Sequence, residues 1–160
     1  MGMDVYGKKP TTEEGKYFHN SASSWHPLAS YVCEVAPQIA DRCAYWHSND
    51  GKGLNNSDAV RLADILQQEI NHGRTATYAR LRQSKIDMMP NERCFLCEGT
   101  GTRKPAPHVG AGDLKTDGIK CNYCRGEGHV EPSETKCPFN VENVQSFVTF
   151  LRGCGGFEIC

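Results

Sequence analysis

Apolar residues recur every three or four positions in four stretches of the chain, as they do on the buried face of an α-helix. The first stretch covers residues 24–46 and is interrupted by Pro37, which predicts a bent helix or a tight pair of helices. The other three stretches cover residues 57–73, 75–89 and 140–152. The pattern therefore predicts a mainly α-helical protein.

The helical pattern is missing from the beginning of the chain and from one internal segment. Residues 1–22 are rich in Gly, Lys, Ser and Thr, which predicts an irregular N-terminal arm. We expect a helical domain over residues 23–89, and an inserted segment over residues 90–132 in which Gly, Pro and Cys dominate. An isolated helix of about 12 residues is marginally stable in water. We therefore expect the C-terminal helix and tail, residues 133–160, to pack on the helical domain.

The inserted segment contains one eight-residue pattern twice, C-x-x-C-x-G-x-G, as CFLCEGTG and CNYCRGEG. A C-x-x-C turn directs two thiolates at one ion, and four thiolates complete the tetrahedral shell of a structural zinc site. Glycines after each pair permit the positive φ angles of a tight turn. The pattern predicts a four-cysteine zinc ribbon of β-hairpin knuckles with one zinc ion per chain. The predicted ligands are Cys94, Cys97, Cys121 and Cys124, and the knuckle glycines are Gly99, Gly101, Gly126 and Gly128.

Other uses of paired cysteines stay open at this point. An iron–sulfur cluster also takes four cysteines, and the spacing does not exclude one. A redox-active C-x-x-C pair usually opens a helix, whereas glycines follow both pairs here. His108 and His129 lie near the cysteines, but four thiolates already close the shell. Small buried side chains or inert thiols are expected for the remaining cysteines, Cys33, Cys43, Cys137, Cys154 and Cys160.

The duplicated pattern resembles the cysteine-rich domain of DnaJ-type co-chaperones, over about residues 94–128. Four repeats bind two zinc ions in that family, so the resemblance implies one zinc ion for two repeats. The family's J-domain needs His-Pro-Asp, whereas His26 and Pro27 are followed here by Leu28. Recruitment of the family's heat-shock chaperone partner is therefore not implied. What the resemblance implies by analogy is thiol-redox or holdase activity.

Two further segments, MDVYGKKPTTEEGKYF and LRGCGGFEIC, resemble parts of small uncharacterised bacterial and phage proteins. That resemblance brings no known activity. For a protein encoded by a phage or another mobile element, the binding role that we consider is inhibition of a host complex. Such a host complex could belong to a defence system, so anti-CRISPR activity or the inhibition of another defence system is one example of this role.

Basic residues are concentrated in the middle of the chain, although the net charge of the whole chain is −1. Residues 74–130 contain 10 Lys and Arg against 6 Asp and Glu, a net charge of +4. Arg74, Tyr78, Arg82 and Lys85 follow at a spacing that places them on one helix face. A stripe of basic and aromatic side chains suits contacts with phosphates and bases. Nucleic-acid binding is therefore the main alternative.

Several classes of protein are disfavoured by the sequence. No segment approaches the roughly 18 apolar residues of a membrane span, and the first residues lack the apolar core of a secretory signal. We expect a cytoplasmic protein with no membrane partner. Nucleotide-binding loops, nucleophile elbows and zinc-protease motifs are absent from the sequence, so we expect no enzymatic activity.

These observations together favour a zinc-binding, non-enzymatic protein-interaction module whose partner is a protein of unknown identity. The first alternative is nucleic-acid binding through the basic stripe and the zinc ribbon. The further alternative is a DnaJ-like thiol-redox or holdase activity.

Overall fold

The computed structural model describes residues 2–103 and 118–160 and is dominated by helices. The chain divides into two compact units. The first unit joins Met1–Lys85 to Lys136–Cys160, and the second unit is the intervening segment Ile86–Thr135. The α-helices are α1 (Ala22–Val35), α2 (Pro37–Ala40), α3 (Asn56–Asn71), α4 (Arg74–Asp87) and α5 (Val141–Gly153), with a 3-10 helix at Ser133–Lys136.

The strands are short and form three small antiparallel sheets within the described residues. One sheet has three strands in the order β2-β1-β7, and the others pair β3 with β6 and β4 with β5. The strands are β1 (Gly2–Gly7), β2 (Tyr17–Ser21), β3 (Glu92–Arg93), β4 (Thr102–Arg103), β5 (Ile119–Lys120), β6 (His129–Val130) and β7 (Phe157–Ile159).

The prediction of an irregular arm over residues 1–22 is wrong, because this segment supplies two strands of the three-stranded sheet. In β1, Met3 and Val5 face the core and are buried, whereas Tyr6 points outward and is 49% exposed. β7 pairs with the other edge of β1 and comes from the opposite end of the chain. The alternation of buried and exposed residues in β1 is too short to predict a strand from the sequence. The strand β7, which completes the sheet, is also distant in sequence.

The prediction of a second helix as far as Trp46 is also wrong, since α2 ends at Ala40. Tyr45 has a φ of 66°, which a right-handed helix does not accommodate. The indole Nε1–H of Trp46 instead donates to the carbonyl oxygen of Ala40 at 3.0 Å. This bond closes the turn after α2 and directs the Trp46 ring into the core, where it is buried.

Aromatic rings fill the core of the first unit. The Phe147 ring of α5 lies 5.8 Å from the Trp25 ring of α1, measured between centroids. Phe150 and Phe157 extend the same group, with their ring centroids 6.1 Å apart. α5 packs against α3 and also contacts β2. The last helix and the last strand are therefore integral parts of this core, because their large apolar side chains are buried in it.

Candidate metal centre

Four cysteine sulfurs converge in the second unit. The Sγ atoms of Cys94, Cys97, Cys121 and Cys124 all lie within 4.8 Å of one another, and all four residues are buried. The Sγ atoms of Cys94 and Cys121 are 3.9 Å apart, and those of Cys97 and Cys124 are 3.6 Å apart. The structure thus brings together all the residues predicted as ligands, and among the described residues they are the group able to hold a metal ion.

The sulfur spacing fits a tetrahedral metal–thiolate centre. Metal–sulfur bonds of about 2.3 Å place the four sulfurs of a regular tetrahedron about 3.8 Å apart. The Cys94–Cys121 and Cys97–Cys124 sulfur distances, 3.9 and 3.6 Å, lie on either side of this value. A disulfide needs its sulfurs at about 2.05 Å, and all four cysteines are free. The residues therefore fit one four-coordinate ion.

The strands around this centre pair between the two repeats. The sequence predicts a β-hairpin within each repeat, but the strand entering each repeat pairs with the strand leaving the other. The N–H of Cys94 donates to the carbonyl oxygen of Gly128 at 2.8 Å, and the N–H of Cys121 donates to that of Gly101 at 2.9 Å. The expectation of separate hairpin knuckles is therefore wrong. Each repeat turns about its own sulfurs, which leaves its two strands to bond to the other repeat.

The knuckle glycines allow the backbone to approach the sulfurs. Gly101 and Gly128 have φ angles of 75° and 78°, in the left-handed region that favours glycine. The N–H of Gly101 donates to Cys97 Sγ at 3.3 Å, and the N–H of Gly128 donates to Cys124 Sγ at 3.2 Å. The other two knuckle glycines, Gly99 and Gly126, also have positive φ angles. All the glycines that the pattern singles out therefore lie in turns around the sulfurs.

Hydrogen bonds around the sulfurs favour thiolates at two of the four positions. Burial raises the pKa of the Cys97 thiol, but hydrogen bonds from Cys94 and from the Gly101 N–H outweigh burial and lower it to about 6. A hydrogen bond from the Cys124 N–H is the largest influence on Cys121 and lowers the pKa of that thiol. Burial raises the pKa of Cys94 to about 11. Binding of a metal ion to these sulfurs as thiolates releases the protons that the thiols carry.

Four protein ligands leave no coordination position for a substrate. A closed thiolate shell is typical of structural metal sites, whereas catalytic sites keep one position open. His129, the described histidine closest in sequence to the cysteines, lies in β6 opposite Arg93 and is exposed. The segment that includes His108 lies outside the described residues. The arrangement can therefore cross-link the two repeats, and it is not built to activate a water molecule.

The second unit carries large apolar side chains on its outside. Phe95 is 68% exposed and Tyr123 is 50% exposed, and their ring centroids lie 4.9 Å apart in an edge-to-face arrangement. Leu96 and Ile119 are also exposed. Within the described part of this unit, the buried cluster consists of the four cysteines, with Val130 packed against it. We call Phe95, Leu96, Ile119 and Tyr123 the apolar ribbon surface. The sequence reveals these side chains but not that they face outward.

The predicted basic stripe lies along α4, and internal contacts occupy two of its four members. Arg74 forms a salt bridge with Glu69, in which its Nε and Nη2 atoms donate hydrogen bonds to the carboxylate at 2.9 and 2.6 Å. A hydrogen bond from Arg74 lowers the pKa of Glu69. The Tyr78 ring packs against Tyr31, with centroids 4.7 Å apart, and is half-buried. Arg82 is half-buried and Lys85 is exposed.

The remaining cysteines lie outside the metal group. Burial raises the pKa of Cys43 to about 11, and burial is also the largest influence that raises the pKa of Cys154. Cys33 and Cys137 are half-buried, and Cys160 is exposed. A buried thiol with a raised pKa is a poor nucleophile at neutral pH.

Comparison with known proteins gives no relative. No family model matches the chain, and no curated protein or solved structure is significantly similar to it. The resemblance to DnaJ-type repeats therefore rests on the cysteine and glycine pattern alone. Within residues 2–103 and 118–160, every helix is too short or too polar to cross a membrane.

Proposed function

We propose that the protein is a zinc-binding, non-enzymatic interaction module. Cys94, Cys97, Cys121 and Cys124 bind one zinc ion, and the folded second unit presents the apolar ribbon surface to a protein partner. The observation that carries this proposal is the convergence of four buried sulfurs at tetrahedral spacing.

The chemistry of the ligands favours zinc among the metals available to a protein. Four soft thiolates do not suit magnesium or calcium, which take oxygen ligands. Zinc accepts tetrahedral thiolate shells readily, whereas an iron–sulfur cluster would bring inorganic sulfide and a visible absorbance. When bound, zinc supplies a closed cross-link that holds the two repeats together. The chain's own contribution is to supply the sulfurs and to direct backbone N–H groups at two of them.

A protein partner is favoured by the apolar ribbon surface and by charge. Exposed aromatic residues are enriched in protein interfaces, where they bury large areas at low entropic cost. Residues 86–135 contain 6 Lys and Arg against 8 Asp and Glu, a net charge of −2. This sign opposes binding to phosphates. The net charge of +4 over residues 74–130 depends on α4, in which internal contacts hold Arg74 and Tyr78.

A pull-down from the native host with matched variants tests this proposal. The double variant Phe95→Ala and Tyr123→Ala should lose the captured partner while retaining zinc. Leu81→Ala is the control, because Leu81 is 63% exposed, close to the 68% of Phe95, but lies in the first unit. Chelation should abolish capture by the parent chain. Recovery of RNA or DNA with a steep salt dependence would favour the nucleic-acid alternative. Capture that survives the double variant would contradict the proposal.

A further inference from the structure

The exposed face of the three-stranded sheet carries one carboxylate, two rings that contact it and a third ring packed against one of these. Asp4 and Tyr6 project from β1, and their partners across the ladder are His19 and Tyr17 of β2. Tyr6 is 49% exposed and Tyr17 is 46% exposed, whereas Val5 on the opposite face of β1 is fully buried. We call Asp4, Tyr6, Tyr17 and His19 the Asp4 patch. It lies in the first unit and has no part in the metal centre or in the apolar ribbon surface.

Contacts within the Asp4 patch hold its rings in place. The Tyr17 hydroxyl donates to Asp4 Oδ1, and His19 Nδ1 lies 3.0 Å from the same oxygen. The Tyr17 and His19 rings are stacked at an interplanar angle of 24°, with centroids 6.2 Å apart. The Tyr6 ring lies 5.1 Å from the Tyr17 ring. Side chains that are already ordered lose less entropy when a ligand binds.

The second oxygen of the Asp4 carboxylate has no hydrogen-bond donor among the described residues. Both internal contacts use Oδ1, and no Lys or Arg of the described part of the chain forms a salt bridge with Asp4. Lys8 pairs with Glu158, which lies opposite Tyr6 in the ladder with β7, and Lys16 pairs with Glu13. The patch therefore combines a carboxylate lacking a strong cationic partner with aromatic faces.

This combination matches the chemistry of a guanidinium group. A guanidinium is planar and stacks on an aromatic face, and its fork of N–H donors bonds to a carboxylate at the same time. An ammonium group is a compact charge that does not stack. The base of a nucleotide would stack on the rings, but the phosphate of the nucleotide would be repelled by the Asp4 carboxylate. We infer that the Asp4 patch binds the guanidinium group of an arginine side chain on a partner polypeptide.

An NMR titration of the ¹⁵N-labelled 160-residue chain with the peptide acetyl-Gly-Arg-Gly-amide tests this inference. Saturable shifts should be confined to the amides in and beside β1 and β2. Peptides with lysine or with neutral citrulline in place of arginine should bind several-fold more weakly. Asp4→Asn should weaken arginine binding roughly tenfold, because it removes a charge-assisted bond. Glu13→Gln removes an equal charge from an ion pair outside the patch and should leave binding unchanged.

Tyr6→Ala provides a second variant, since it leaves Asp4 and both of its contacts in place. It should weaken arginine binding roughly threefold through the loss of one aromatic face. The spectra of both variants should keep the dispersion of the parent chain, because every altered side chain lies on the outside of the sheet. Equal affinity for arginine and lysine peptides would overturn the inference. So would equal effects of Asp4→Asn and Glu13→Gln, or loss of binding on metal chelation.

Discussion

The two repeats of the metal centre approach each other closely at Gly101 and Gly128, because these residues have no Cβ atom. A Cβ atom at Gly101 would lie 2.3 Å from the carbonyl oxygen of Gly126, and a Cβ atom at Gly128 would lie equally close to that of Gly99. These contacts are between backbones, so no side-chain movement relieves them. The second glycine of each repeat, Gly101 or Gly128, is therefore required for this close approach.

Gly101→Ala should lower the affinity for zinc by at least tenfold, because the new methyl group separates the repeats and costs more than about 1.4 kcal/mol. A competitive titration against a chromophoric chelator measures this change. Gly51→Ala is the control, since Gly51 also has a positive φ, 68°, but a Cβ there meets nothing within 4 Å. Equal zinc affinities for the two variants would contradict the account of the close approach.

The ion pair between Arg74 and Glu69 predicts a pH-dependent contribution to stability. The pKa of Glu69 is lowered in the folded chain, so the pair stabilises the fold above the pKa of the unfolded glutamate. This stabilisation is lost as the pH falls through the lower, folded-state pKa. Glu69→Gln should reduce the free energy of unfolding by about 1 kcal/mol at pH 7 and by much less near pH 3. Urea unfolding followed by circular dichroism at both pH values checks this prediction, and a pH-independent difference would contradict it.

At the scale of elements, helices with strong periodicity can be predicted from the sequence and short strands cannot. The helix predicted over residues 140–152 is α5, and its N-cap Asn140 accepts a bond from the Asn143 N–H at 2.8 Å. The N-cap of α3 is Asn55, whose side chain accepts a bond from the Asp58 N–H at 2.9 Å. The three-stranded sheet is not predicted, because β1 and β2 are short and β7 pairs with β1 from the opposite end of the chain. Local periodicity carries no information about such long-range pairing.

The same limit applies to the metal centre. Spacing within each repeat identifies the four ligands, since each C-x-x-C turn is a local structure. The pairing of each repeat's strands with the other repeat is a long-range property, and so are the outward positions of Phe95 and Tyr123. The metal ligands can therefore be predicted from the sequence, whereas the surface available to a partner cannot.

The last strand should contribute strongly to stability although it has three residues. Phe157 is fully buried among aromatic rings, whereas the adjacent Glu158 points to the exposed face of the same strand. Phe157→Ala should lower the free energy of unfolding by about 3–5 kcal/mol. Glu158→Ala should lower it by less than about 1 kcal/mol, because its pairing with Lys8 is exposed. Urea unfolding measures the free energy of unfolding of both variants. Similar losses of free energy in the two variants would show that β7 is not packed as described.

At the scale of the whole molecule, the two units have different sources of stability. Aromatic and aliphatic side chains fill the core of the first unit, whereas among the described residues of the second unit the buried cluster is the four cysteines with Val130 packed against it. So little apolar burial does not offset the conformational entropy of a folded segment. A structural zinc ion contributes on the order of 10 kcal/mol to the folding of small zinc-binding domains. The second unit should therefore depend on metal and the first should not.

Metal removal should unfold the second unit and leave the helices of the first unit in place. After chelation, most of the far-UV helical signal should persist, while the amide resonances of residues 92–103 and 119–130 collapse to the shifts of unfolded chain. Treatment with the same chelator saturated with zinc is the control and should change neither signal. Loss of the helical signal on chelation would mean that the two units fold as one cooperative structure.

The most direct test of the central claim is the metal content of the purified chain, measured by native mass spectrometry with elemental analysis. We predict one zinc ion per chain, bound with the release of thiol protons and without visible absorbance. Cys97→Ser should abolish stoichiometric zinc, and Cys33→Ser should retain it, because Cys33 lies outside the sulfur cluster. Iron with visible absorbance, the absence of metal, or equal zinc content in the two variants would contradict the account.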